Sequence, residues 1–255
     1  MKVLITGGPT NEYIDEVMKI TNMSSGKIAT ELAEYFVSEF HDVTLLLTKS
    51  VKYTFTCPKM KIIRFETTDE LFNAIKEEAK NEYDIIIHSA AVADYKPEFS
   101  FRMEDLADEI ANFIGDNARD INESFTTEDI RREIFSILTN PECKVNDDTK
   151  ISSVEPNLTV KLGLTPKIIA SLRQLFPNAF ICGFKLLENV PKEELITAAT
   201  KQIEKCNTDL VFANDLAELR KGNKTRLVVS KKGFNGIEVD GAYGIFNLLK
   251  IACNR

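Results

Sequence analysis

The feature that most constrains the fold is a rhythm: short, mostly apolar runs alternate with stretches whose apolar residues recur every three or four positions. Residues 2–6, 42–48, 61–65 and 84–88 are such runs, the last built around Ile85-Ile86-Ile87. Short runs of this kind, bounded by turn residues, predict strands buried on both faces. Between them, Ile28, Leu32, Ala33, Phe36 and Val37 mark one face of a helix over 28–40. Leu71, Ile75 and Ala79, four apart behind Thr68-Asp69-Glu70, mark a capped helix over 68–80. The pattern resumes with strands at 157–161, 180–184 and 209–214 and helices at 166–175 and 192–206. Residues 225–230 and 236–239 predict a hairpin, and 241–254 a closing helix. Strand–helix–strand alternation predicts a Rossmann-like three-layer α/β/α architecture around a mostly parallel sheet, with ligands at the carboxyl ends of the strands.

Residues 97–149 break the rhythm. They are acidic, helix-prone over 103–113 and 127–138, and lack the apolar runs of the rest. They predict a helical insertion within a single domain spanning 1–255. A net charge of −7 argues against nucleic acid or an anionic membrane as partner, because both require a basic surface. The five cysteines, Cys57, Cys143, Cys182, Cys206 and Cys253, are scattered, and no pair has CxxC spacing. That favours reduced thiols over a disulfide frame or a zinc site. No apolar run approaches the roughly 18–20 residues of a membrane span. The start, MKVLITGG, lacks the parts of a signal peptide, so a cytoplasmic location is expected.

Several segments carry groups suited to binding. Gly7-Gly8-Pro9 follows the first strand, and Asn22-Met23-Ser24-Ser25-Gly26 precedes the first helix. Such a loop is either a tight connection or a cradle in which backbone N–H groups and the helix dipole hold phosphate. It matches neither GxGxxG nor GxxxxGK[ST], which argues against a dinucleotide dehydrogenase and a P-loop kinase. Ser89, Ala90 and Ala91 after the strand at 84–88 let a flat ring approach the backbone, and Asp94 is placed to bond ribose or metal-bound phosphate. Lys201 and Lys205 stand one helical turn apart, hence on one face. Lys150 is a lone lysine behind an acidic stretch.

Taken in order, GGPTNEYID, ITNMSSGKIA, SAAVADY, KISS, TPKII, GFKLLE and LVFAND resemble the motifs of phosphopantothenate–cysteine ligases, most closely the stand-alone bacterial type. The resemblance covers nearly the whole chain outside 97–146. It implies amide formation between 4′-phosphopantothenate and L-cysteine in coenzyme A biosynthesis, through an acyl-cytidylate, with CTP converted to CMP and pyrophosphate. It also implies Mg²⁺ and a homodimer. By the same resemblance Asn22 contacts the acyl-cytidylate and Lys150 closes over phosphate and acyl group. Ser24, Ser25 and Gly26 face the triphosphate; Ser89, Ala90 and Phe184 shape the cytosine pocket; Asp94, Lys201 and Lys205 bind the nucleotide. The TPKII segment adds Pro166, Lys167 and Ile168.

Two departures stand out. Lys150-Ile151-Ser152-Ser153 replaces the KIKK of many relatives, and Lys167 replaces the aspartate of their NPDI segment. Two other readings use the same sheet. A nicotinamide-dependent reductase needs an acidic residue closing the second strand, where this chain has Leu47-Thr48-Lys49. A non-catalytic nucleotide-binding module needs the pocket but not Asn22 or Lys150.

Overall fold

The computed structural model describes residues 1–145, 150–152, 154–233 and 235–253. The chain opens with β1 (Lys2–Gly7), a short ribbon of β2 (Asn11–Tyr13) and β3 (Lys19–Thr21), then α1 (Lys27–Ser38), β4 (Asp42–Thr48) and β5 (Met60–Phe65). It continues through α2 (Thr68–Glu78), β6 (Ile85–His88), β7 (Tyr95–Arg102), α3 (Met103–Asp116), α4 (Ala118–Glu123) and α5 (Thr127–Thr139). Then come β8 (Lys144–Val145), β9 (Leu158–Leu164), α6 (Ile168–Leu175), β10 (Phe180–Leu187) and α7 (Lys192–Cys206). The last elements are β11 (Leu210–Asp215), α8 (Leu216–Arg220), β12 (Thr225–Ser230), β13 (Asn235–Asp240) and α9 (Gly241–Cys253).

These elements group into two compact units. The first holds Met1–Asn11, Thr21–Asp94 and Thr165–Arg255; the second holds Glu12–Ile20 and Tyr95–Leu164. In the first unit eight strands form one sheet in the order β13-β12-β11-β10-β6-β1-β4-β5. From β5 to β11 every pairing is parallel, and the closing hairpin β12–β13 adds two antiparallel strands. The expected Rossmann-like fold is therefore the observed one. Alternation along the strands sends Val3, Ile5, Leu45 and Phe212 toward α1 and α9, where they pack with Leu32, Phe36, Ile245 and Phe246. Leu4, Leu46 and Ile86 face the other way, against α2 and α6. Val211 and Ala213 meet Leu195, Ala199 and Ile203 of α7. Both faces are covered, which is why the strands read as unbroken apolar runs.

The chain order places β4 and β5 on one side of β1, and β6, β10 and β11 on the other. The crevice between the carboxyl ends of β1 and β6 is thus a topological switch point, where open α/β sheets bind ligands. The helix over 68–80 starts as expected, with Thr67 as its cap, the hydroxyl accepting from Glu70 N.

The second unit corrects two expectations. Residues 97–149 are not wholly helical: β7 runs into this stretch and pairs with β8 and β9 in a three-stranded antiparallel sheet. The strand expected at 157–161 is β9, and it belongs to this small sheet rather than to the parallel one. Phe99 and Phe101 pack on Leu106 and Ile110 of α3 and Ile137 of α5, giving the unit its own small core. The acidic residues at 146–149 lie outside the described residues, as do Ser153 and Asn254.

Candidate active site

The loops that follow β1 and β6 are knitted together by backbone hydrogen bonds. Ala91 N donates to Gly8 O at 2.9 Å, Thr10 N to Ala91 O at 3.2 Å, and Asn11 N to Glu66 O at 2.9 Å. The buried Thr10 hydroxyl accepts from Ala93 N at 2.9 Å, and the Thr21 hydroxyl donates to Thr10 O at 2.9 Å. This lattice fixes Asn22, whose Nδ2 donates to Ala91 O at 3.3 Å and Val92 O at 3.0 Å.

Gly8 and Gly26 both adopt positive φ, 83° and 70°. A Cβ on Gly26 would lie 3.3 Å from Gly8 N, so the two turns touch at backbone distance. Val51 packs against both glycines. The loop bearing Val51 is held by Arg64, whose guanidinium donates to Thr48 O, Val51 O and Tyr53 O at 3.1, 2.9 and 3.2 Å. Gly26 is the N-cap of α1, and no side chain caps the helix there. The first turn contains no acidic residue, and Gly26 N and Lys27 N make only long hydrogen bonds, both at 3.4 Å, to the hydroxyls of Ser24 and Ser25, so an anion could replace these at the positive end of the dipole. Ser24 is half-buried and Ser25 exposed beside it.

At the carboxyl edge of the sheet lies a cavity of about 740 Å³. Asn22, Ala90, Asp94, Pro166, Lys167, Ile168 and Phe184, all singled out from sequence, line it together. Ser89 sits beneath the same turn, its hydroxyl donating to Thr6 O at 2.7 Å. Lys201 and Lys205 are exposed on α7 and are not among the lining residues. Lys150 is an exposed residue of the second unit. Its neighbour Ile151 is buried and donates its N–H to Asp15 Oδ2 at 3.0 Å. Asp15 Oδ1 accepts from Val17 N and Met18 N at 2.7 and 2.6 Å. The Met18 and Val17 N–H groups, aided by Ile151 N–H and the charge of Lys150, hold the Asp15 carboxyl below its usual range.

Three cations, Lys167, Lys185 and Arg220, line the cavity. Lys167 Nζ lies 3.4 Å from Asp94 Oδ1, and Arg220 is ion-paired with Glu188. The Lys167–Asp94 pair is exposed on both sides, so it contributes little to stability and an anion entering here would compete for the lysine.

Four contributors were not legible as site residues. Lys185 stands within GFKLLE with no role of its own there, and Arg220 is a lone cation outside the seven motifs. Gln202 sits beside the apolar stripe Leu195-Ala199-Ile203-Cys206 that α7 buries; a lone polar residue next to such a stripe is the only signal the sequence carries for it. His88 is the fourth. It is 7% exposed, lines the cavity, and bonds Thr6 Oγ1 through Nδ1 at 2.9 Å. Burial pushes its imidazole down from the usual 6.5 to about 4. Above pH 6.5 the ring is neutral in both folded and unfolded chains. Below that the unfolded chain takes up a proton that the folded one refuses until about pH 4, so stability falls across this window. Between pH 7 and pH 4 the parent is expected to lose about 3 kcal/mol more than His88→Asn, which keeps a polar atom near Thr6 but does not titrate. Urea titrations of both proteins across this range check it; parallel pH profiles refute it.

Residues 1–104 match the family described as DNA/pantothenate metabolism flavoprotein C-terminal domain. The chain is 35% identical over 216 residues to the coenzyme A biosynthesis bifunctional protein CoaBC of Thermococcus kodakarensis, covering 84% of this chain and 41% of that protein. It is 30% identical over 217 residues to the protein of the same description from Methanocaldococcus jannaschii, covering 85% and 41%. The chain thus spans about two fifths of these relatives' length. Among solved structures it is similar to the DNA/pantothenate metabolism flavoprotein of Streptococcus pneumoniae, with a TM-score of 0.77, 28% identity and 100% of both chains covered. The resemblance to phosphopantothenate–cysteine ligases read from the seven motifs is borne out by these matches. Among the described residues, no helix is long and apolar enough to cross a membrane.

Proposed function

We propose that this chain is a phosphopantothenate–cysteine ligase that joins 4′-phosphopantothenate to L-cysteine in coenzyme A biosynthesis, using CTP. The observation that carries the reading is convergence. Seven motif residues from four separate stretches of chain line one cavity at the switch point of the sheet. A binding function at that edge follows from the fold; the chemistry follows from the likeness to the CoaBC relatives.

In this reaction the carboxylate of 4′-phosphopantothenate attacks the α-phosphorus of CTP, and pyrophosphate leaves. The cysteine amine then attacks the acyl carbon of the acyl-cytidylate, CMP leaves, and the ammonium proton passes to solvent. The protein's contribution is to align the reactants and neutralise developing charge. Lys167, Lys185 and Arg220 supply positive charge to the cavity. The N-terminus of α1 at Ser24, Ser25 and Gly26 suits the triphosphate. Phe184, whose ring lies 5.2 Å from that of Phe212, and Ala90 flank a flat base. Lys150, Lys201 and Lys205 keep the phosphate-neutralising roles that the resemblance gives them.

No cluster of three or more His, Cys, Asp or Glu side chains that could hold a metal occurs among the described residues. The cavity offers the single carboxylate of Asp94. This donor set fits Mg²⁺ arriving on the triphosphate, which takes most of its ligands from phosphate and water. The proposal extends to a cytoplasmic homodimer in which residues 1–255 act as one ligase domain.

The test is pyrophosphate release from 4′-phosphopantothenate with CTP or ATP, each with and without cysteine, and Mg²⁺ present. CMP and amide formed together in the presence of cysteine are expected with CTP. Well-folded protein that turns over neither nucleotide would sink the ligase reading in favour of a non-catalytic binding module.

A further inference from the structure

Lys150 is exposed, and among the described residues no side-chain hydrogen bond or ion pair of its own holds it. A lysine carries a compact charge on a flexible four-carbon stem, so its ammonium is placed only as well as the backbone that bears it. That backbone is fixed one residue later. Ile151 is 5% exposed, and its N–H donates to Asp15 Oδ2 at 3.0 Å. Asp15 comes from far along the chain, in the turn between β2 and β3, and is itself 4% exposed. Both residues belong to the second unit, so the bond joins its two separate stretches of chain.

The two oxygens of Asp15 have different tasks. Oδ1 closes the aspartate's own turn, accepting from Val17 N at 2.7 Å and Met18 N at 2.6 Å. Ile14 N and Asp15 N donate to Met18 O at 2.9 and 3.4 Å, which makes this turn a fixed base. Asparagine closes such a turn as well as aspartate does, so the turn alone gives no reason for a second acceptor. Oδ2 supplies that acceptor, and Ile151 N uses it. The Met18 and Val17 N–H groups, with smaller help from Ile151 N–H and the charge of Lys150, lower the acidity constant of the carboxyl's proton to below the usual range, so the group is ionised at neutral pH. Downstream, Glu155 N donates to Ser152 O at 3.4 Å, and the Glu155 carboxylate lies 3.4 Å from Arg102 at the end of β7. Those ties hold the chain beyond Ser152, whereas the bond to Asp15 acts directly beside Lys150.

We propose that Asp15 is a positioning residue for Lys150: by holding the Ile151 N–H, its second carboxylate oxygen fixes the backbone from which the lysine serves phosphate and acyl group. The proposal deepens the ligase reading and rests on it for the task of Lys150. Placement matters in such a reaction, since a misplacement of about 1 Å costs on the order of 100-fold in rate. A carboxylate that merely stabilises the second unit would act on turnover whether or not the lysine is present. A positioning carboxylate acts only through it.

The experiment compares the full chain with Asp15→Asn, Lys150→Gln and the double variant. Asparagine has one acceptor oxygen; turned to Val17 and Met18 it keeps the turn and sets Nδ2 against the Ile151 N–H, so the anchor alone is broken. Asp15→Asn is expected to lower kcat for amide formation roughly tenfold or more. The double variant should match Lys150→Gln within about twofold, because nothing is left to position once the lysine is gone. A second measurement is independent of turnover: limited trypsin digestion of the native proteins, with the cut sites read by mass spectrometry. Cleavage after Lys150 should accelerate roughly tenfold in Asp15→Asn, while cleavage after Arg119, in α4 of the same unit, stays within about twofold of the parent. Asp15→Ser, whose shorter side chain closes the turn without reaching Ile151, repeats both measurements should asparagine unfold the chain. Cleavage after Lys150 within about twofold of the parent would overturn the assignment, as would an equal rise at Arg119. Losses in kcat that multiply in the double variant would overturn it too, and so would a Lys150→Gln variant with the parent's turnover. A parent that forms no amide refutes the ligase reading, and the cleavage rates alone then decide whether Asp15 holds Lys150.

Discussion

Gly7→Ala is expected to cost about 3 kcal/mol or more of folding stability, a large effect for a single methyl group. The methyl would sit 2.1 Å from the Cβ of Ala29, 3.4 Å from Leu47 Cδ1 and 3.6 Å from the Ala29 Cα. The first is a full atomic overlap with a residue in the first turn of α1, and a methyl has no rotamer by which to escape. Relief requires α1 to move off the sheet, yet Leu32, Ala33 and Phe36 of that helix are fully buried against β1 and β4. Thermal unfolding measures the effect, expected as a fall in Tm of about 6–12 °C. Gly115→Ala is the matched control. That glycine lies in α3 with nothing within 4 Å of the added Cβ, so alanine should stabilise by about 0.5–1 kcal/mol. A Gly7→Ala variant within about 1 kcal/mol of the parent would mean that α1 yields far more easily than its packing implies.

The same contact explains what was and was not legible in the sequence. Strands buried on both faces advertise themselves as unbroken apolar runs, so β1, β4, β6 and β11 were visible without any knowledge of the fold. β7 was not. Its sequence, Tyr95 to Arg102, carries Lys96, Pro97 and Glu98 and buries only Phe99, Ser100 and Phe101. A strand in a small one-sided sheet leaves no such run, and the helical periodicity of the residues after it is the stronger signal. Site residues divided the same way. Those carried by motifs in turns, such as Asn22, Asp94 and Lys167, could be named from their order along the chain. Those created by register could not: His88 meets Thr6, and Gln202 lies over Gly183, only because β1, β6 and β10 are neighbours. Lys201 and Lys205 are conspicuous by charge, while the inward face of α7 runs through Ala199, Gln202, Ile203 and Cys206.

Asn22→Asp is expected to lower kcat by roughly 100- to 1,000-fold while changing CTP affinity about threefold or less, if Asn22 serves the acyl-cytidylate as proposed. The geometry sharpens what that service can be. Nδ2 faces two carbonyl oxygens, Ala91 O at 3.3 Å and Val92 O at 3.0 Å, so both of its hydrogens are engaged. The reverse orientation would set oxygen against oxygen, which fixes the amide as described. In this state Asn22 offers a ligand only Oδ1, an acceptor, and stabilising a developing acyl oxygen requires one N–H to leave its carbonyl as charge builds. Such a donor, loosely held in the ground state and strongly engaged in the transition state, acts on kcat rather than on affinity. Aspartate has no hydrogen to transfer. It adds a negative charge beside an anionic intermediate and faces both carbonyls with like polarity, so the side chain swings toward solvent. Asn22 is exposed, and the substitution should therefore leave Tm within a few degrees of the parent. Single-turnover measurements of pyrophosphate and amide separate the two half-reactions. Pyrophosphate release that falls with amide formation places Asn22 in activation of the carboxylate by CTP; pyrophosphate release that persists while amide formation collapses places it in handling of the acyl-cytidylate. Turnover within about threefold of the parent would remove Asn22 from the chemistry altogether and leave it as a clamp that holds the turn at Ala91 and Val92.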